Sequence, residues 1–241
     1  MMQATRKSEL AWVVTVALAG TACSRATPEL PEVMIPAGDF IAGCDFRKHD
    51  DDSCTLHIHA GRERVHLPAY FIDRDLVTAA QYATCVDSGR CTPTTAKPGA
   101  SVDRGYVEVS HEQATSYCRW LSKRLPTSDE FEKAARGTDG RRYVRGDDFD
   151  RDACDTPQAC ARLRSVYGVR AVKETYQWVS DRNEDFPLGM IRGGVQTYDL
   201  LNRVKVTDGD VQPSEHAHFR CARSVDPTAA PPGPPGGRRL Q

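Results

Sequence analysis

Nine cysteines are the residues of this chain best equipped for chemistry, at positions 23, 44, 54, 85, 91, 118, 154, 160 and 221. A thiolate is both a nucleophile and a ligand for soft metals, whereas in an oxidising compartment cysteines are consumed in pairs. Setting Cys23 aside leaves eight, a number that can pair completely. Short spacings suggest local bridges between Cys85 and Cys91 and between Cys154 and Cys160, with Cys44 and Cys54 closing a polar insertion. Spacing leaves the partners of Cys118 and Cys221 open.

Histidines are the second set. His57 and His59 fall on one side of an extended strand, His66 is near, and Asp50, Asp51 and Asp52 precede them, a ligand set for a borderline metal. The surrounding RKHDDDSCTLHIHAGRER is polar and charged, so a solvated loop is the expected reading. His216 and His218 repeat the pattern near the C-terminus, where packing of a loop on a strand is expected. Arg141, Arg142 and Arg145 beside Tyr143 could receive an anion, but Asp139, Asp147 and Asp148 are at hand to pair with them on the surface. The sequence contains no serine-histidine-acid arrangement, phosphate loop or GxSxG elbow that would announce a hydrolase or nucleotide site.

Three helices must position these groups, each opened by Ser or Thr with Gln or Glu three residues later, the reciprocal cap that satisfies orphan backbone donors. They run from Thr78 (with Gln81) towards Ser88, from Ser110 (with Gln113) to about Lys123, and from Thr127 (with Glu130) to near Gly137. Ala114, Tyr117, Cys118 and Leu121 share one face of the second, and Phe131, Ala134 and Ala135 one face of the third. Alternation around Pro36-Ala37-Gly38 in EVMIPAGDFIA predicts a strand pair. Further strands are predicted over 65–72, 165–169, 176–179, 190–192 and 218–222.

The stretch from Tyr117 to Gly146, YCRWLSKRLPTSDEFEKAARGTDGRRYVRG, resembles the signature AYCxWxxKRLPTEAEWExAARG of the formylglycine-generating, sulfatase-modifying-factor family. Ser116 stands at its first alanine, and Trp120, Lys123 to Thr127 and Ala134 to Gly137 match it directly. The opening IPAG, the run VHLPAYFIDRDLVTAAQY and the closing FRCAR extend the likeness over roughly Val33 to Arg223. The resemblance implies an α+β domain, a variant of the C-type lectin fold poor in regular structure and stapled by disulfides. It also implies that Cys118 is bonded to Cys221.

It implies an oxidase site as well, and here the residues depart from the pattern. The family's CxxxxC copper-binding thiolates follow a Gly-Gly-Ser turn; this chain has Arg192-Gly193-Gly194 with Val195 for the serine, and Tyr198 and Arg203 at the cysteine positions. Neither side chain replaces a thiolate on monovalent copper. The family's GNVWEWxxD segment reads KETYQWVSD from Lys173 to Asp181, keeping Trp178 and Asp181. Glu174, with Asp147 or Asp148, could offer carboxylate oxygens to calcium, although Lys173 competes for that charge. No cofactor is therefore expected, copper least of all, with calcium as the one candidate. Cys91-Thr92-Pro93 begins like the CxPxR motif such oxidases modify, but Thr95 stands at the arginine.

At 241 residues and a net charge of -1, the chain has room for one domain and no field that favours nucleic acid. Arg6 and Lys7 precede an apolar run, Leu10 to Ala19, which reads as an export signal too short to span a bilayer. Cys23 before Ser24 resembles the lipidated cysteine of bacterial lipoproteins, with Gly20 where a leucine-like residue is usual. The expected organisation is a signal over residues 1–23, a linker over 24–31, the domain over 32–225 and a disordered Pro/Gly-rich tail over 226–241. The expected function is that of an exported, lipid-anchored, non-catalytic binding or structural module of a bacterial cell envelope. Its partner would be an envelope protein or a small ligand, and its membrane contact the anchor alone. The alternative is a divergent oxidase or related metal-dependent oxygenase.

Overall fold

The structure, a computed structural model, describes residues 30–43, 63–95, 105–141, 146, 164–170, 175–181, 189–193, 203–204 and 216–226. Strand β1 (Glu32–Ile35) leads through Pro36 and Ala37 to β2 (Gly38–Ala42). These two strands do not pair with each other, contrary to the alternation's suggestion. Gly38, at φ 134°, redirects the chain, so that β1 joins β4 (Tyr70–Asp73) while β2 joins β3 (Glu63–Leu67), both antiparallel. The strand expected over 65–72 is divided for a related reason: Pro68 has no N–H to give a ladder, and the break sends β3 and β4 into different sheets.

All three helices form where their caps predict. They are α1 (Ala79–Asp87), α2 (His111–Trp120) and α3 (Ser128–Arg136), each with its capping box closed in both directions. Helix α2 ends about three residues earlier than expected, because Ser122 adopts φ 58° and Lys123 N–H turns back to the carbonyl of Cys118, 2.8 Å away. That stop delivers Lys123 Nζ to Asp73 (2.6 Å) and Glu32 (2.9 Å), joining the helix end to the β1–β4 pair.

Strands β5 (Gln177–Val179), β6 (Met190–Arg192) and β7 (Arg203–Val204) make a second three-stranded sheet, and β8 (Ala222–Ser224) completes the first in the order β1-β4-β8. Residues 165–169 form a turn instead of a strand, with the Ser165 hydroxyl accepting from the Val169 N–H. Residues 217 and 218 contribute single bridges to Val109 and Gln177.

Two apolar cores result. One gathers Tyr82, Tyr117, Phe219 and Trp178 around the Cys118–Cys221 disulfide; the other packs Phe131, Ala134 and Ala135 of α3 against Ile35, Tyr70, Ile72 and Val179. Between them Arg220, fully buried, donates to Gln177 Oε1 and to the carbonyls of Asp73, Arg74 and Arg170. Loss of water pushes its pKa down to about 10, still well above neutral, so it binds these loops as a cation. Among the described residues no helix is long and apolar enough to cross a membrane.

Candidate functional site

Two places could carry function: the ground where the family's oxidase site would lie, around β5, β6 and β7, and a polar groove at the start of α2.

At the first, the surviving side chains are committed to the scaffold. Trp178 is buried and its Nε1 donates to the Val109 carbonyl at 2.7 Å. His111 meets it edge-to-face, with ring centroids 5.4 Å apart, and donates through Nε2 to the Val179 carbonyl at 2.9 Å. Gly189 must be glycine here: its φ is +106°, and a Cβ would lie 2.6 Å from His111 Cδ2. Asp181 accepts from the Ser128 N–H at 2.6 Å, so its charge serves the first turn of α3.

Arg192, the last residue of β6, is wholly buried and donates to Glu132 Oε2 at 2.7 Å, with its guanidinium over the Phe131 ring at 5.8 Å. Glu132 also binds Arg136 one turn on and accepts from the Gly43 N–H at 2.7 Å. Arg136 in turn donates to the carbonyls of Gly43, Gly140 and Arg141. A buried charge is tolerable only when it is so surrounded. On β7, Arg203 pairs in register with Arg192.

The second place is a cavity of about 440 Å³. One wall is the segment after α1, with Arg90, Thr92 and Thr95; the other is the start of α2, with Ser110, Glu112, Gln113 and Ser116; His216 closes one side. The walls are cross-tied. The Cys85–Cys91 disulfide pins the chain next to Arg90. Gln113 closes the α2 cap through Oε1, while its amide donates to Thr92 Oγ1 (3.2 Å) and the Pro93 carbonyl (2.9 Å). Thr94 Oγ1 donates to the Glu108 carbonyl at 2.8 Å, and Thr95 Oγ1 lies 3.3 Å from His216 Nε2.

Beneath this wall His218 is buried, with Nδ1 2.9 Å from the Val107 carbonyl and Nε2 3.2 Å from Glu108 Oε1. Burial lowers its pKa below the usual histidine value, against the opposing pull of Val107 and Glu108.

The model of the sulfatase-modifying factor enzyme 1-like domain matches residues 17–186. The chain belongs to this family. The matched region ends before β6, so Val195, Tyr198 and Arg203 lie beyond it. The formylglycine-generating enzyme of Streptomyces coelicolor is 57% identical over 44 residues, which are 18% of this chain and 14% of that protein. The Bacillus subtilis protein YfmG is 29% identical over 141 residues, or 52% of this chain and 29% of that one. The chain thus spans less than a third of these curated relatives' length. Among solved structures, that of CarF superposes with a TM-score of 0.55 at 19% identity, over 82% of this chain and 99% of CarF. The fold is accordingly the family's α+β, C-type-lectin-like one, low in regular structure and stapled by disulfides.

Against that family frame, the described cysteines form two bridges, Cys85 with Cys91 and Cys118 with Cys221. His66 lies on the exposed face of β3 and bonds Asp39 at 2.7 Å, and Arg141 bonds Asp139 at 2.7 and 2.8 Å. Among the described residues no three His, Cys, Asp or Glu side chains are grouped as a metal site. Cys23, Cys44, Cys54, Cys154, Cys160, Asp147, Asp148, Glu174, Val195 and Tyr198 lie outside the described residues, as do His57, His59, Arg142 and Arg145. Arg203 is described for its backbone alone.

Sequence reasoning missed both the Glu132–Arg136–Arg192 cluster and the groove. The i, i+4 spacing of Glu132 and Arg136 was the available signal for the first. For the groove it was a glutamate in the first turn of a capped helix, near in number to a disulfide-pinned arginine.

Proposed function

We propose that this family member is an exported, lipid-anchored protein that serves as a non-catalytic binding or structural module of a bacterial cell envelope. The observation that carries the reading is the identity of Tyr198 and Arg203 at the two oxidase thiolate positions, since neither side chain can hold monovalent copper. The structural commitments of Trp178, Asp181 and Arg192 support it: residues that would border a reaction site are occupied in packing, capping and a buried ion pair. Export is supported by the charged-then-apolar N-terminus ending near Cys23 and by the bridges Cys85–Cys91 and Cys118–Cys221, which suit an oxidising compartment. No cofactor is proposed. Lys173 adjoins Glu174 and competes with a cation for its charge, so added calcium is expected to leave the melting midpoint unchanged.

The deciding experiment counts free thiols by alkylation and intact mass on the full chain, prepared without reductant and read both native and denatured. The expected count is zero outside Cys23, with no conversion of a CxPxR peptide in the presence of copper. Two free thiols that copper protects, together with formation of formylglycine, would overturn the reading.

A further inference from the structure

The groove between the 90–95 segment and α2 differs from every other charged region described above, because two of its charges are uncommitted. Arg90 and Glu112 line the same cavity, yet among the described residues neither side chain makes a hydrogen bond or ion pair, and they do not bridge to each other. Among the other described residues, Lys123 is joined to Asp73 and Arg124 to Glu130. Here the walls keep them apart, and the ties from Gln113 to Thr92 and Pro93 and from Cys85 to Cys91 hold that separation.

We propose that this groove is a binding site for a small zwitterion of the amino-acid or short-peptide class, its carboxylate received by Arg90 and its ammonium by Glu112. The proposal deepens the binding-module reading and rests on it. A guanidinium presents paired donors to a carboxylate, and an ammonium finds its acceptor in a carboxylate oxygen. Thr95 and Ser116 add neutral hydroxyls to the lining, which suits a peptide-like body better than an aliphatic one. A volume of about 440 Å³ is within the range of small-molecule sites, whereas the polar lining is unlike the apolar pockets that take hydrophobic ligands. Because the walls are tied before any ligand arrives, the ordering cost left for the binding step is mainly that of the Arg90 and Glu112 side chains.

The test is an amide-resolved NMR titration of the full chain with diglycine, compared with N-acetylglycine, glycinamide and N-acetylglycinamide. Diglycine is expected to shift the amides of Arg90, Thr95, Glu112 and Ser116 with millimolar affinity. Each analogue that lacks one charge should bind about 2- to 5-fold more weakly, the scale of one exposed ion pair. Arg90→Gln should erase the advantage of diglycine over glycinamide, and Glu112→Gln its advantage over N-acetylglycine. Both positions are exposed, so unchanged melting curves will show that the variants fold. Equal binding of N-acetylglycinamide, or shifts confined to other surfaces, would overturn the proposal. Either failure would leave the thiol count untouched, so the two readings fall separately.

Discussion

The Glu132–Arg136–Arg192 cluster and the α2 groove are both rich in charge, and they use it in opposite ways. In the cluster a carboxylate sits between two guanidiniums, with backbone groups of Gly43, Gly140 and Arg141 filling further positions, and every side chain is out of water. In the groove Arg90 and Glu112 are exposed, share a cavity and stay apart. Charge that is mutually satisfied specifies a scaffold, whereas charge held apart by tied walls is available to something else. Glu132 and Arg136 of the buried cluster lie on the helix that carries the family signature, whereas the groove, apart from Ser116, is lined by residues outside it.

The sharpest way to break the comparison is Glu132→Gln. It removes the carboxylate charge that the buried Arg136 and Arg192 share and should cost about 3–5 kcal/mol in a urea unfolding curve. A loss below about 1 kcal/mol would mean the cluster is no more a scaffold element than the groove. Next comes the rim. Replacing Cys85 and Cys91 together by serine opens a short loop and should cost about 2 kcal/mol by thermal or urea unfolding. Gln113→Ala is smaller, about 1 kcal/mol, since it opens the α2 cap, but it also frees Thr92 and Pro93 and should broaden the groove's amide resonances. A Gln113→Ala chain with an unaltered groove would show that the walls are not held by that side chain.

The smallest effect is that of pH. The pKa of His218 is lowered in the folded state, so the unfolded chain binds its proton first. The stability this residue contributes is therefore complete above the ordinary histidine value of 6.5 and is lost as pH falls through and below it. Melting midpoints measured from pH 8 to about 5 should decline, and His218→Gln should flatten the decline. If the two profiles coincide, His218 is not the group that titrates.

Much of the fold was legible because its signals are local. A hydroxyl and a carboxamide or carboxylate three residues apart locate all three helix starts, and the 190–192 strand falls where its apolar run predicts. Pairing partners were less legible. Nothing in Glu32 to Ala42 says that β1 and β2 part company, because the partners that separate them, β4 and β3, come later in the chain. The candidate site was least legible. His216 reaches Thr95 across 121 positions, and Glu132 meets Arg192 across 60. α3 reads as amphipathic, yet it buries Glu130, Glu132, Lys133 and Arg136 together with its apolar face. Hydrophobic periodicity cannot register that, since charged residues enter the interior only through partners supplied by tertiary structure.

The order β1-β4-β8 has a mechanical consequence. Both outer strands run antiparallel to β4, with Glu32 opposite Asp73 at one end and Ser224 opposite Tyr70 at the other. A tension applied between a tether before Glu32 and a load after Ser224 would pull the two flanking strands in opposite directions along their length. Their hydrogen bonds to β4 would then be loaded together in shear and not peeled one at a time. The Glu32–Arg223 and Glu32–Lys123 ion pairs brace the same seam. A domain hung by its ends would therefore resist extension far better than one pulled from β2 and β3, whose ladder could unzip.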